Sequence, residues 1–470
     1  MGQTAVVVGA GIGGLAAAVG LRRIGWEVTV VDRAPVLADA GAGISLAANG
    51  IRALDALGVG AAVRAAGRGQ YTGGTRTPSG SWLARMDGAA LERVLGSPIV
   101  GIPRAELHRL LRDALAPGTL RTGVTATVAL AQADGRRARV EFEPVAESTD
   151  GGAGGSAESV KGTACGSAAG GEGGSAGGGE GGSAGGAGRS ASGATNGGGS
   201  SSGGAGGSAS GATSGSVEVV EADLVVAADG IGSRTRAALF PGHPGPVHSG
   251  STVLRAITER PLDLRTDFEI TWGRGAEFGH IAFTDGRAEW HAVLNAPAGV
   301  RHPDPLAVLR RRFADWHEPI PELLAATRPE DVLHHDIGEL ATPLPSYVSG
   351  RTVLLGDAAH AMTPNLGQGA CQALEDAVVL AAELGRTGDV DSALARYDTA
   401  RRPRATAVAA AARQAGRMGQ QLAHPLAVPL RNTLMRLAPS GTAVRMILRH
   451  ASWTPPLTPL TPLTRSFAGE

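Results

Sequence analysis

The chain has 470 residues, enough for two or three domains, with 43% hydrophobic and only 3% aromatic residues. Lys+Arg and Asp+Glu are equal at 43 each, so the formal net charge is zero and no long-range field draws nucleic acid or an anionic membrane. Cys165 and Cys371 are too few for a disulfide framework or a Cys-rich metal site, and no apolar run reaches the roughly eighteen residues of a membrane span, so the expectation is a cytoplasmic protein without a transmembrane segment.

In chain order, the first element is a buried-strand candidate at 5–8. It runs into Gly9-Ala-Gly11-Ile-Gly13-Gly14 and an Ala/Leu-rich helix. Gly9 allows a tight turn, Gly11 lets backbone N–H groups approach a pyrophosphate, and Gly14 permits close packing of helix on strand. The helix N-terminus adds a positive dipole end. A second strand at 28–31 leads to Asp32-Arg33, and Asp32, twenty-three residues after Gly9, can accept hydrogen bonds from ribose hydroxyls. A bare glycine pattern fits any tight turn; strand, glycines, helix, strand and acid in this order predict a dinucleotide site.

Helical spacing covers 51–66 and 104–115. Residues 139–143 and 217–223 both alternate apolar with polar, as two strands of one hairpin do. Between them, 151–216 holds 28 glycines in 66 residues, against 44 in the remaining 404, and repeats itself at Gly171 and Gly179 and at Ser190 and Ser208. Such a tract has little to bury against its ordering entropy, so 148–216 is expected to be a disordered insertion in a swollen hairpin turn.

A buried strand at 224–227 leads to Asp229-Gly230, which taken alone is a turn with Asp229 as a cap. Thr-, Trp-, Phe- and His-rich runs at 251–295 predict a more β-rich domain. A strand at 352–355 ends in Gly356-Asp357, followed by His360, by Pro364-Asn-Leu-Gly367-Gln368-Gly369 and by a helix at 372–384. An acid beside backbone amides suits a ribityl or ribose chain, and amides at a helix N-terminus suit a ring that becomes anionic on reduction. Helical patterns return at 391–413 and 422–449, the last read as an amphipathic helix covering the core in preference to a membrane-surface or dimer helix.

These motifs together resemble the flavoprotein aromatic hydroxylases, single-component FAD monooxygenases that include salicylate- and hydroxybenzoate-hydroxylase-like enzymes, urate hydroxylase and zeaxanthin epoxidase. Residues 9–14 with Asp32-Arg33 match the first family motif, Asp229-Gly230 the second, and Gly356-Asp357 with 364–369 the third. Pro103-Arg104-Ala-Glu-Leu107 matches the segment whose arginine approaches the flavin, and Tyr397-Asp398 with Arg401-Arg402-Pro403 matches the helix after the third motif. Asp32 stands where glutamate is commoner in the family.

The resemblance implies an α/β fold: a Rossmann-type FAD-binding domain with an inserted β-rich substrate domain and C-terminal helices. The implied division is FAD-binding at 1–75, 99–245 and 351–400, substrate-binding at 76–98 and 246–350, and C-terminal helices at 401–470. It implies an enzyme using FAD, NADH or NADPH and O₂ to hydroxylate or epoxidise an electron-rich aromatic or polyketide-like small molecule through a flavin hydroperoxide. FAD would be held by Gly9, Gly11, Gly13, Gly14, Asp32, Arg33, Ser45, Arg104, Val124, Asp229, Gly356, Asp357, Pro364, Gly367, Gln368 and Gly369. Within that set Asp32 takes the adenosine ribose, Asp357 the ribityl and pyrophosphate region, and Gly367, Gln368 and Gly369 face the isoalloxazine.

The catalytic candidates are His360, as a proton shuttle or a residue packed behind the loop, and Arg255, where the family often has an arginine. Arg255, Trp272, His280, Phe283, Trp290 and His291 are available to the substrate pocket, but alternation lets only about half of them face one side of a sheet. Cys371 reads as a small helix residue, and no metal is expected. Two alternatives keep the same fold: FAD chemistry without oxygen insertion, and a non-catalytic flavin-binding regulator. The chain lacks the Trp-x-Trp-x-Ile-Pro segment of halogenases. Monomer and homodimer are both open.

Overall fold

A computed structural model describes residues 2–37, 42–130, 137–145, 217–439 and 441–456. The chain divides into two compact units, Met1–Val145 with Gly215–Glu470, and Ala146–Ser214. The expected insertion at 148–216 lies outside the described residues, and every described strand and helix belongs to the first unit.

The Val-rich runs read as buried strands form the centre of a six-stranded sheet in the order Val348–Ser349, Thr352–Leu354, Leu224–Ala227, Thr4–Val8, Glu27–Asp32, Leu120–Thr122. All neighbours are parallel except the first pair. Such strands are covered on both faces, which is why they read as continuous apolar runs. One face is covered by the helices Ile12–Arg23, Gly369–Arg386 and Ala48–Ala56, whose Ala, Leu and Val side chains join the main core. The other face packs on Ala126, Val140 and Phe142 of a three-stranded antiparallel sheet. In that sheet Ala138–Pro144 pairs with Glu218–Ala222, Phe142 opposite Glu218, so the two flanks of the Gly/Ser tract form the expected hairpin ladder.

The β-rich region is a seven-stranded sheet in the order Leu333–Glu339, Val247–Ile257, Ala288–Asn295, Ala276–Ala282, Phe268–Trp272, Gly73–Arg76, Trp82–Arg85. Leu254, Phe278, Trp290 and Ala292 on one of its faces bury against the helices Pro305–Arg312 and Ile320–Ala325. A small sheet, Gly43–Leu46 with Ile99–Pro103 and Arg68–Gln70, packs over the other face, where Gly43 sits on Phe283 and Glu289.

Two helix expectations need correction. The helix expected at 51–66 is two, Ala48–Ala56 and Gly60–Ala66, because Gly58 takes a left-handed φ of 79° and turns the chain between them. The stretch 422–449 is likewise two, Ala427–Leu437 and Gly441–Ala451, and the first does not cover the core with its leucines: Leu426, Leu430, Leu434 and Leu437 are exposed while Val428 and Arg431 are buried. The helix Val390–Met418 runs through Pro403 without a break.

Candidate active site

The glycine turn after Thr4–Val8 is shaped by contacts that exclude side chains. Gly9 has a φ of 104°, and a Cβ there would collide with the Ala228 carbonyl oxygen; a Cβ on Gly14 would collide with the Gly9 carbonyl oxygen. Gly13 packs on Leu355 and Ala373, so it serves helix packing. Gly11 is different: among the described residues nothing lies within 4 Å of a Cβ built on it. It is also the N-cap of Ile12–Arg23, with no capping side chain and no acid in the first turn, so the helix presents free amides to open space.

Asp32 closes this turn. Its Oδ2 accepts the Ala10 N–H at 2.7 Å and its Oδ1 the Ala34 N–H at 2.9 Å, and each oxygen keeps lone-pair capacity for a hydroxyl. A cavity of about 160 Å³ opens here, lined by Ala10, Gly11, Asp32, Ala34, Leu37, Arg104, Ala105 and His108. Arg33 is exposed on the same turn, and the Gly123 N–H donates to Ala34 O at 3.0 Å, setting Val124 beside it. Ser45 Oγ accepts from Gln70 Nε2 at 3.1 Å, on the strand paired with Ile99–Pro103 that delivers Arg104. His108 belongs to none of the sequence motifs. It donates through Nε2 to Ala10 O at 2.7 Å, and it lies one turn after Arg104 on the helix Arg104–Asp113, an i, i+4 relation legible in the sequence.

Asp229 does cap a turn: its carboxylate accepts from Ser233 Oγ at 2.6 Å and from the Thr235 N–H at 3.1 Å, just before the helix Arg234–Leu239. Arg236 of that helix is buried and donates to Ala358 O at 3.0 Å and Ile231 O at 2.5 Å, stitching the second motif to the third. Burial lowers the Arg236 guanidinium pKa, and the charges of Asp229 and Asp357 oppose that. Gly356 takes a φ of 61°, and Asp357 follows it, exposed and without a hydrogen bond among the described residues.

The loop 364–369 combines a 3₁₀ turn at Pro364–Leu366, a left-handed Gly367 with φ of 61°, and the start of Gly369–Arg386. Nothing lies within 4 Å of a Cβ built on Gly367 or on Gly369. Gln368 corrects the expectation. Its side chain turns inward, where Oε1 accepts from Asn49 Nδ2 at 2.9 Å, so only its backbone belongs to the open surface.

His360 is also turned inward. Its Nε2 donates to Asp376 Oδ2 at 2.6 Å, its Nδ1 has no partner among the described residues, and it lines a second cavity with Leu344, Tyr347 and Arg413. Of its two readings, the one behind the loop is the one the geometry supports. Asp376 also accepts the Gly356 N–H at 3.0 Å and Arg401 Nε at 2.7 Å. Glu375 accepts from Arg401, Arg404, Asn49 and Gln372. Burial pushes the Asp376 carboxyl up, but the charges of His360 and Arg401 outweigh it and hold the group well below the usual carboxylate range. Cys371 beside this network is buried and its thiol is pushed up to about 12, chiefly by burial, which disfavours the thiolate.

The pocket residues sort by strand register. Arg255 faces His291, His291 faces Gly279, and Trp272 faces Glu277, so Arg255, His291 and Trp272 share one face. His280 and Trp290 point to the opposite, helix-covered face, where burial lowers the His280 pKa to about 4. Phe283 is buried under Gly43. On the first face Arg255 Nε is buried without a partner among the described residues. Glu277, which no sequence pattern singles out, accepts from Trp272 Nε1 at 2.7 Å and stands 3.8 Å from His291 Nε2, while Glu289 lies 3.4 Å from His291 Nδ1. Burial lowers the His291 pKa, but Glu289 and Glu277 outweigh it and raise it overall. A Cβ on Gly279 would collide with the His291 ring, so the imidazole lies over that glycine. Arg104 joins the two halves: burial and the like charge of Arg255 lower its pKa, and Asp357 opposes them.

Three comparisons agree with this geometry. A family model described as FAD binding domain matches residues 3–150 and 202–412. An aurachin C monooxygenase/isomerase of Stigmatella aurantiaca is 33% identical over 456 residues, 97% of this chain and 99% of its own. A 3-amino-4-hydroxybenzoate 2-monooxygenase of Streptomyces platensis is 32% identical over 427 residues, 87% of each chain. Among solved structures, Klebsiella pneumoniae HpxO complexed with FAD and uric acid has the same fold, with a TM-score of 0.73 and 24% identity over 96% of each chain.

Proposed function

The chain belongs to the FAD-binding-domain family and is an FAD-dependent monooxygenase, and from that premise we propose which residues hold the cofactor and where the substrate lies. The residues fit the cofactor. Gly11, Gly367 and Gly369 leave open space where a Cβ would stand, and Asp357 is an exposed acid without a hydrogen bond among the described residues. Asp32 receives the adenosine ribose hydroxyls, with Arg33 and Val124 beside it, and the amides of Ile12–Arg23 face the diphosphate. Asp357 takes ribityl hydroxyls, Asp229 and Gly356 fix the turns around it, and Ser45 and Arg104 close the opposite wall. Pro364, Gly367, Gly369 and the backbone of Gln368 form the flat surface for the ring. FAD, when bound, supplies electron transfer from NADH or NADPH to O₂, which gives one oxygen atom to the substrate and the other to water.

The substrate lies between the loop 364–369 and the sheet face of Arg255, His291 and Trp272. Arg255 carries an unused donor there, which suits an oxygen substituent on an electron-rich ring. The named relatives act on aurachin C and 3-amino-4-hydroxybenzoate, and the reading for this chain is an aromatic or polyketide-like small molecule. Segments 1–75, 99–245 and 351–400 then serve the cofactor, and 76–98 and 246–350 the substrate. A reducing, cytoplasmic compartment, in keeping with the buried free thiol of Cys371, and a monomer or homodimer complete the reading.

The observation that carries the reading is the side-chain-free cradle: among the described residues nothing lies within 4 Å of a Cβ built on Gly11, Gly367 or Gly369, and Asp32 lines the cavity beside Gly11. The test is to purify the protein, record its absorption spectrum, and follow NADH and NADPH oxidation with salicylate, 3-hydroxybenzoate and 3-amino-4-hydroxybenzoate. Flavin absorbance, substrate-stimulated oxidation and a product heavier by one oxygen atom are expected. A colourless protein that takes up no FAD sinks the cofactor assignment. Flavin reduction that yields no oxygenated product favours FAD chemistry without oxygen insertion.

A further inference from the structure

The helix Ala427–Leu437 presents its apolar side to solvent. Leu426, Leu430, Leu434 and Leu437 follow i, i+4, i+8, i+11 spacing and fall within about 80° of arc. They are 76%, 61%, 60% and 76% exposed, and among the described residues every exposed leucine lies on this stripe. Met418, at the end of the preceding helix, is 49% exposed as well. The other side holds the helix in place: Arg431 is buried, donates to Met418 O at 3.1 Å and Gly419 O at 2.9 Å, and lies 5.3 Å over the Trp272 ring. The leucines therefore cannot turn inward without expelling this arginine.

The segment that carries the stripe has charges of one sign. From 417 to 456 the chain has five arginines, at 417, 431, 436, 445 and 449, and no aspartate or glutamate, in a protein whose formal net charge is zero. Arg417, Arg436 and Arg449 are exposed and form no ion pair among the described residues. No helix of the described residues is long and apolar enough to cross a membrane. A contiguous apolar patch with a basic rim fits a surface that is apolar inside and anionic outside.

We propose that Ala427–Leu437 docks on an anionic lipid bilayer, lying in the plane of the interface with its three leucines and the preceding Leu426 among the acyl chains. A second copy of the chain fits less well. A twofold interface sets the same patch against itself, and here that brings arginines together with no acid in the segment to meet them. A bilayer of anionic lipid supplies that charge.

The test uses the full-length, FAD-loaded protein in flotation with vesicles of phosphatidylglycerol and phosphatidylcholine in equal parts, and with phosphatidylcholine alone. Binding to the anionic vesicles that weakens as salt is raised is expected. L430Q/L434Q, at two exposed positions, should lower the bound fraction about tenfold with the flavin spectrum unchanged. R417Q/R436Q should lower binding to the anionic vesicles specifically. Protein that stays unbound on anionic vesicles overturns the proposal, and so does binding that L430Q/L434Q leaves intact. A dimer in light scattering that L430Q/L434Q converts to monomer overturns it in favour of a second copy. None of these readouts requires substrate turnover.

Discussion

Two polar clusters sit on either side of the proposed ring position, and they are built on opposite terms. Behind the loop 364–369, Glu375, Asp376, Arg401, His360, Asn49 and Gln372 are buried, and their charges meet at hydrogen-bonding distance. Across the cleft, Arg255 Nε has no partner, His291 stands 3.8 Å from Glu277, and Arg104 and Arg255 are like charges in one field. The first cluster has its charges paired within the protein, although His360 Nδ1 and Asn49 Oδ1 lack partners among the described residues; the second holds the Arg255 donor in reserve. That contrast is what a fixed cofactor and a variable substrate require. A cofactor cradle is best pre-organised, whereas a substrate site needs polar groups whose partners arrive with the ligand.

The contrast breaks first at Arg401. Arg401→Met leaves Glu375 and Asp376 under-compensated in the interior, and unfolding in urea should show a loss of about 3–5 kcal/mol with weaker FAD retention. A loss below about 1 kcal/mol, with flavin still bound, would mean that the network is ornamental.

A second test concerns the helix side of the substrate sheet. The His280 pKa in the folded protein is about 4, below the ordinary 6.5, so the unfolded chain binds more protons between these values. The stability tied to keeping this ring neutral is whole above about pH 6.5 and falls as the pH drops toward 4, by about 3 kcal/mol. His280→Gln cannot titrate, and the difference between wild-type and variant melting temperatures should change across that window. Parallel pH profiles would show that His280 carries none of this dependence.

The smallest effect on stability, and the one that most sharpens the comparison, is expected at Arg255. Arg255→Ala should change unfolding free energy by no more than about 0.5–1 kcal/mol, since it breaks no complete partnership. Substrate-stimulated kcat/KM should fall about 10- to 100-fold, as loss of a charge-assisted hydrogen bond does. A variant that unfolds easily yet turns over normally would reverse the roles assigned to the two clusters.

The features legible in the sequence were those set by local rules. The turn at Gly9 and Gly14 reads directly because backbone collides there with any side chain. The strands of the parallel sheet read as apolar runs because both their faces are covered. What escaped was long-range direction. His360 and Gln368 sit in the right segment, but whether they turn toward the ring or toward Asp376 and Asn49 depends on helices far along the chain. Amphipathic spacing at 422–449 announces two faces without saying which is inside, and the buried Arg431 settles it against the leucines. Strand alternation halved the pocket residues, but the register that keeps Arg255, Trp272 and His291 on one side comes from pairing.

Gly279 carries a consequence for how such a protein diversifies. The His291 ring occupies the space where any other residue at 279 would put its Cβ, and the two positions are opposite each other on neighbouring strands. One codon change at 279 therefore evicts the imidazole and hands its place to bulk of a different shape, leaving the cradle on the far side untouched. On the proposed substrate face, a single substitution at 279 thus reshapes the wall opposite the loop 364–369.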